Sequence, residues 1–222
     1  MVGIIPIFKP TGCTSYDIIR QIKKKSEEKK IGHGGTLDPF AEGVLVVAIG
    51  REATKKLAII LNHTLKTYEA TIALGATSTT DDPEGEIRQL VDIGGRSSLP
   101  IETVETCVKD FVGEILQTPP VYSAVKIQGM PAYKRTRLGE KLVLQPKKVF
   151  VKEIKILEYS YPELKIELTC GSGFYVRALA RDLGEKLGVG GCLKTLKRTR
   201  IWNPKNPEID FKLENCVELE DV

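Results

Sequence analysis

Two stretches alternate apolar and polar residues so regularly that they limit the folds open to the rest of the chain. Glu163–Cys170 puts Leu164, Ile166, Leu168 and Cys170 on one side and Lys165, Glu167 and Thr169 on the other. Lys66–Leu74 does the same with Tyr68, Ala70, Ile72 and Leu74 against Thr67, Glu69 and Thr71. A period of two marks a strand with one buried face. Gly3–Phe8, Val44–Ile49 and Lys147–Tyr159 read as further strands. Helical signals are interspersed. Thr14 reads as an N-cap with Asp17 three residues on, and Ile18, Ile19 and Ile22 give one apolar face on a helix to about Lys25. Glu52–Leu61, Ile101–Phe111, Pro131–Gly139 and Phe174–Leu187 also read as helices, the last closed by Gly188. On that last helix, Arg181 with Glu185 and Asp182 with Lys186 have the spacing of surface pairs. Residues 75–100 read as a long loop. Without regular βαβ alternation, the class is α+β, with a central mixed or largely antiparallel sheet flanked by helices and loops. No repeat or linker divides the chain, so residues 1–222 are expected to form a single domain.

Composition excludes several function classes. No apolar run approaches the roughly 20 residues needed to cross a bilayer, and no basic stretch precedes the apolar N-terminus as in a signal peptide. The five cysteines are scattered and odd in number, against both a disulfide framework and a structural zinc site, so a reducing cytoplasm is the expected location. Two histidines, His33 and His63, offer no metal-ligand cluster. The net charge of +4 is unevenly spread. Residues 20–30 and 194–200 are basic, the latter through Lys194, Lys197, Arg198 and Arg200, whereas Glu208–Asp221 is acidic. Basic clusters on a balanced chain suggest a polyanion partner.

The chemistry is expected around Gly32-His33-Gly34-Gly35-Thr36-Leu37-Asp38-Pro39. Three glycines allow tight turns or close approach to a ligand. Pro39 holds Asp38 out of a helix. A loop carboxylate ahead of a buried strand can serve a function or simply cap a turn, and composition leaves both open. Lys9-Pro10-Thr11-Gly12-Cys13-Thr14-Ser15 is a turn feeding a helix N-terminus, suited to a phosphate or carboxylate. Gly171-Ser172-Gly173-Phe174-Tyr175-Val176-Arg177 is a second Gly-rich corner carrying an aromatic and a cation.

Gly32–Leu45 closely resembles the central motif of the TruB family of tRNA pseudouridine synthases. The likeness continues through Lys9–Gly12, Lys66-Thr67-Tyr68, Gly75–Asp81, Pro119–Lys126 with Gly129, Gly173–Arg177, Asp182-Leu183-Gly184 and the Leu196 segment. The resemblance implies a pseudouridine synthase fold that isomerises the T-loop uridine at position 55 of tRNA without metal or cofactor. It implies that Asp38 is the catalytic carboxylate, that Tyr68 stacks on the flipped base, and that Arg177 pairs with the aspartate. Tyr175 and Leu196 would line the pocket, and His33 would help place the RNA. Lys9 and Pro10 fall in a matching motif. Residues 119–143, with Lys126, Lys134, Arg135 and Arg137, match an insertion that grips the T-arm, where basic groups would contact phosphates. Gly34 stands where many members have threonine. The chain ends about 25 residues past Leu196, which leaves no room for the family's usual C-terminal PUA domain. A cytoplasmic monomer needing no protein partner is expected. The alternatives are a non-catalytic tRNA-binding or tRNA-folding module on this scaffold, or the same chemistry on another RNA.

Overall fold

A computed structural model describes residues 2–90 and 99–221; residues 91–98 of the expected 75–100 loop lie outside them. The chain forms two compact units, Met1–Glu69 with Leu196–Val222, and Ala70–Thr195. In the first lie strands β1 (Gly3–Lys9), β2 (Ile31–Gly34) and β3 (Glu42–Ile49), and helices α1 (Ser15–Lys25) and α2 (Arg51–Ile60). Strand β4 (Leu65–Leu74) carries the chain into the second unit. There follow β5 (Ala76–Ser78), β6 (Ile87–Gln89), α3 (Ile101–Lys109), β7 (Gly113–Gln117), β8 (Lys126–Ile127), β9 (Met130–Pro131) and α4 (Ala132–Arg137). Next come β10 (Lys147–Ser160), β11 (Glu163–Cys170) and α5 (Val176–Lys186). Strand β12 (Gly191–Asn203) returns the chain to the first unit, where β13 (Asn206–Lys212) pairs with it.

In the first unit, β1 runs antiparallel along one edge of β3. The other edge is shared by β2, antiparallel, and by β12, parallel, through Lys197↔Glu42 and Arg198↔Gly43. Strand β3 is buried on both faces, which explains its unbroken apolar run. Leu45, Val47 and Ile49 meet Ile18, Ile19 and Ile22 of α1. Val44, Val46 and Ala48 meet Ala53 and Leu57 of α2. Helix α1 starts as expected: Thr14 and Asp17 form a reciprocal capping box. At the far edge, Val217 bridges Ile7, with its N–H on the Pro6 carbonyl at 2.9 Å. Gly43 cannot be replaced without strain. Its φ is +111°, and a Cβ there would lie 2.2 Å from the Arg198 carbonyl oxygen.

In the second unit the strand order is β4, β11, β10, β7. Leu164, Ile166, Leu168 and Cys170 of β11 are buried, as their alternation predicts. Helix α5 packs its C-terminal half closely, since a Cβ on Gly184 would sit 2.1 Å from the Gly191 nitrogen.

Several features depart from the sequence reading. Ile31–Gly34, expected within an irregular loop, is a strand because the edge of β3 supplies its partner. Residues 75–90 contain the β5–β6 hairpin. Strands β7 and β13 had no sequence signal. The α5 charges do not take the expected four-residue spacing: Arg181 meets Asp81 and its neighbour Asp182, and Lys186 meets Asp110 at 2.7 Å.

Candidate active site

Asp38 sits half-buried on a loop whose backbone is tied on both sides of it. Before it, the buried Ser15 hydroxyl donates to the Leu37 carbonyl at 3.1 Å and accepts from the Leu37 N–H at 3.0 Å. After it, the Pro39 carbonyl accepts from the Gly12 N–H at 2.9 Å. The Lys9 side chain is buried, and its ammonium donates to the carbonyls of Ala41 (2.6 Å), Pro10 (2.9 Å) and Pro39 (3.3 Å). The Asp38 carbonyl closes a turn by accepting from Ala41 N–H at 3.1 Å. Lys9 and Pro10 thus brace the motif that carries the carboxylate. A backbone fixed in this way can hold a side chain in one position before any ligand arrives.

Arg198 is a second brace, which the sequence reading took for part of a basic surface cluster. Its side chain is 1% exposed. Nε donates to Val44 O and Nη2 to Gly35 O, both at 2.7 Å. The guanidinium also lies 6.0 Å from the ring centroid of Tyr68, a buried residue of β4. The neighbouring charges are paired as well: Lys197 with Glu42, Lys194 with Glu163, and Arg200 with both carboxylate oxygens of Asp210 at 2.6 and 2.7 Å. In the 194–200 run, then, Arg198 faces inward while Lys194, Lys197 and Arg200 each meet a carboxylate. Leu196 lies buried in the same strand.

His33 pairs with Val47 in the β2–β3 ladder and is half-buried. Its Nδ1 is buried and finds no hydrogen-bond partner among the described residues. Burial, and then the nearby Arg198 charge, push its pKa below the usual histidine value. Beside it, a Cβ on Gly34 would lie 2.0 Å from Leu61 Cδ1, so a threonine here needs Leu61 to move.

The remaining candidates belong to the second unit. Arg177, in the first turn of α5, is buried; its Nη1 meets Asp82 Oδ2 at 3.1 Å and Thr80 O at 3.2 Å. Its Nη2 donates to Tyr122 O at 2.9 Å. The Asp82 carboxylate also accepts from the Thr80 hydroxyl and the Glu84 N–H. Asp81, with φ +63°, meets Arg181 at 2.9 Å, and burial raises its pKa above the ordinary carboxylate value. Tyr175 is the N-cap residue of α5, and its peptide group is held by Gln117.

Residues 119–143 form the small β8–β9 hairpin and α4. Lys126 and Lys134 are exposed. Arg135 is committed to Glu140 at 2.8 Å and to Gln128, and Arg137 lies over the Tyr133 ring. Sequence reasoning missed Ser15, Asp82 and Gln117 as organisers and misplaced Arg198. Two had a visible signal: Ser15 closes the Lys9–Ser15 turn, and Asp82 directly follows the Thr80-Asp81 motif. No group of side chains able to hold a metal occurs among the described residues, and none of their helices is long and apolar enough to cross a membrane.

Comparison with known proteins identifies the family. Residues 23–176 match the family model described as TruB family pseudouridylate synthase, N-terminal domain. The chain is 42% identical over 224 residues to tRNA pseudouridine synthase B of Corynebacterium diphtheriae, covering 99% of this chain and 72% of that protein. It is 43% identical over 206 residues to the protein of that name from Prochlorococcus marinus, covering 90% and 63%. Among solved structures, a chain of a Cbf5–Nop10–Gar1 complex matches with a TM-score of 0.73 and 30% identity, over 99% of this chain and 53% of that one. The chain thus spans about half of that solved chain and roughly two-thirds of these relatives. With its motifs in order and its fold matched, the chain belongs to the TruB family of pseudouridylate synthases.

Proposed function

We propose that this protein isomerises the uridine at position 55 of the tRNA T-loop to pseudouridine, with Asp38 as the catalytic carboxylate. The supporting observation is the bracing of Asp38, whose two flanking peptides are fixed by Ser15, Gly12 and Lys9. The reaction breaks the N1–C1′ bond, turns the uracil while it is held, joins C5 to C1′, releases the C5 proton to solvent and takes up a proton at N1. It is balanced internally and transfers no electrons to another molecule. A carboxylate fixed beside the sugar can attack C1′ or stabilise positive charge there, as in glycoside cleavage. The base must leave its stack to be reached. The flat Tyr68 ring gives it a surface, with Leu196 of the same unit as apolar lining. By resemblance to the family's motif, Tyr175 and Arg177 of the second unit are assigned a pocket-lining and a cationic role. The free Nδ1 of His33 is a hydrogen-bonding point for a displaced nucleotide. Lys126 and Lys134 supply phosphate contacts on the T-arm. The protein acts in the cytoplasm as a monomer, without a protein partner.

The test follows release of tritium from C5-labelled uridine in an unmodified tRNA transcript. Wild type releases label, and Asp38→Asn slows release by at least about 10³-fold while tRNA binding persists. Equal, absent release from both proteins, with binding retained, would mean a non-catalytic tRNA-binding module.

A further inference from the structure

We propose that Gln117 is a positioning residue that ties the root of the 119–143 insertion to the start of α5, so that RNA seating on the insertion and placement of Tyr175 and Arg177 are one event. This rests on the function proposed above. Gln117 ends β7 and its side chain is 2% exposed. Its Nε2 donates to Tyr175 O at 3.1 Å, and its Oε1 accepts from Tyr175 N–H at 2.9 Å. One amide therefore satisfies both polar groups of a single peptide residue, as a neighbouring strand would. The residue so held is the N-cap of α5, with extended backbone and no side-chain cap of its own. Its orientation sets the direction in which α5 departs, and Arg177 lies two residues on.

Two further bonds converge from the same short stretch. Arg181 Nη2 donates to Thr118 O at 2.8 Å, and Arg177 Nη2 to Tyr122 O at 2.9 Å. Gln117, Thr118 and Tyr122 flank Pro119-Pro120, where the insertion begins. Further out, its backbone bonds are internal, from Ala132 N–H to Val125 O at 2.7 Å and from Tyr133 N–H to Ser123 O at 3.0 Å. A load placed on Lys126 or Lys134 by a bound T-arm passes through this root to α5. Only glutamine fits the role among close relatives in size. Glutamate would set a carboxylate against the Tyr175 carbonyl, asparagine is one methylene short, and methionine matches the length but has no polar group to pair with the peptide.

The experiment compares Gln117→Met with Leu164→Ala, a cavity variant in the fully buried face of β11. Both are expected to melt below wild type. In Gln117→Met the single-turnover rate at saturating tRNA falls tenfold or more, the Kd for tRNA changes less than threefold, and hydrogen exchange at the Tyr175 amide speeds up more than tenfold. Leu164→Ala keeps its rate within twofold. A wild-type rate in Gln117→Met, a loss confined to Kd, or equal rate losses in both variants overturns the proposal. Unchanged exchange at Tyr175 overturns this proposal alone, whereas a wild type that turns over no tRNA overturns the reading of function.

Discussion

The two basic stretches at 126–137 and 194–200 look alike in sequence and behave differently in the fold. In β12 the charges are absorbed: Arg198 turns inward onto two carbonyls, and Lys194, Lys197 and Arg200 each meet a carboxylate. In the insertion, Lys126 and Lys134 stand exposed with no ion-pair partner among the described residues. The difference is one of context. A strand inside a sheet has neighbours on both edges that can carry complementary groups, whereas a short helix on an insertion mostly faces water. A count of lysines and arginines is therefore a poor guide to a nucleic-acid surface. The number left without partners is the better one.

This contrast can be broken by experiment, first through stability. Arg198→Met leaves Val44 O and Gly35 O without donors and is expected to cost about 2–4 kcal/mol in urea unfolding. Replacing Lys126 and Lys134 by Gln should change stability by less than about 0.5 kcal/mol. Similar losses from both changes would erase the distinction. RNA affinity should show the reverse. Neutralising Lys126, Lys134 and Arg137 together should lower the slope of log Kd against log salt by about 2 and weaken tRNA binding roughly tenfold. Neutralising Lys194 and Lys197 should leave the slope unaltered. A slope that fell for the paired lysines would show that their ion pairs open on RNA. The smallest effect reads Arg198 through His33. Proton NMR should find His33 titrating below 6.5, and Arg198→Met should move that midpoint up, though not fully, because burial is the larger cause. Because the unfolded chain takes up this proton first, the contribution of His33 to stability is complete above pH 6.5 and declines as pH falls below it.

Much of the fold could be read in advance where one local rule decided the outcome. The Thr14–Asp17 box fixed the start of α1, and strict alternation gave β11 its bounds from Glu163 to Cys170. Asp38 stood out because glycines and proline around a carboxylate are locally unusual. Its supports did not, since they come from afar: Ser15 is 22 residues from Leu37, and Arg198 is 163 from Gly35. Lys9 and Arg198 are cations, and hydropathy sends cations outward. Only the carbonyls waiting in the folded chain explain their burial. Likewise β2 is a strand because β3 offers an edge, a fact absent from the four residues Ile31–Gly34.

The parallel contact of Arg198 with Gly43 also bears on how the protein is made. The first unit is built from both ends of the chain, and the 126 residues from Ala70 to Thr195 are synthesised in between. At about 5–20 residues per second, translation takes roughly 6–25 s to cross that interval. During that time β3 has β1 and β2 but not β12, and the Gly35 carbonyl has no guanidinium to meet. The loop bearing Asp38 therefore acquires this support only when the β12 residues emerge from the ribosome. A nascent chain stalled before Leu196 would carry every residue of the Gly32–Pro39 motif while lacking the brace that holds it.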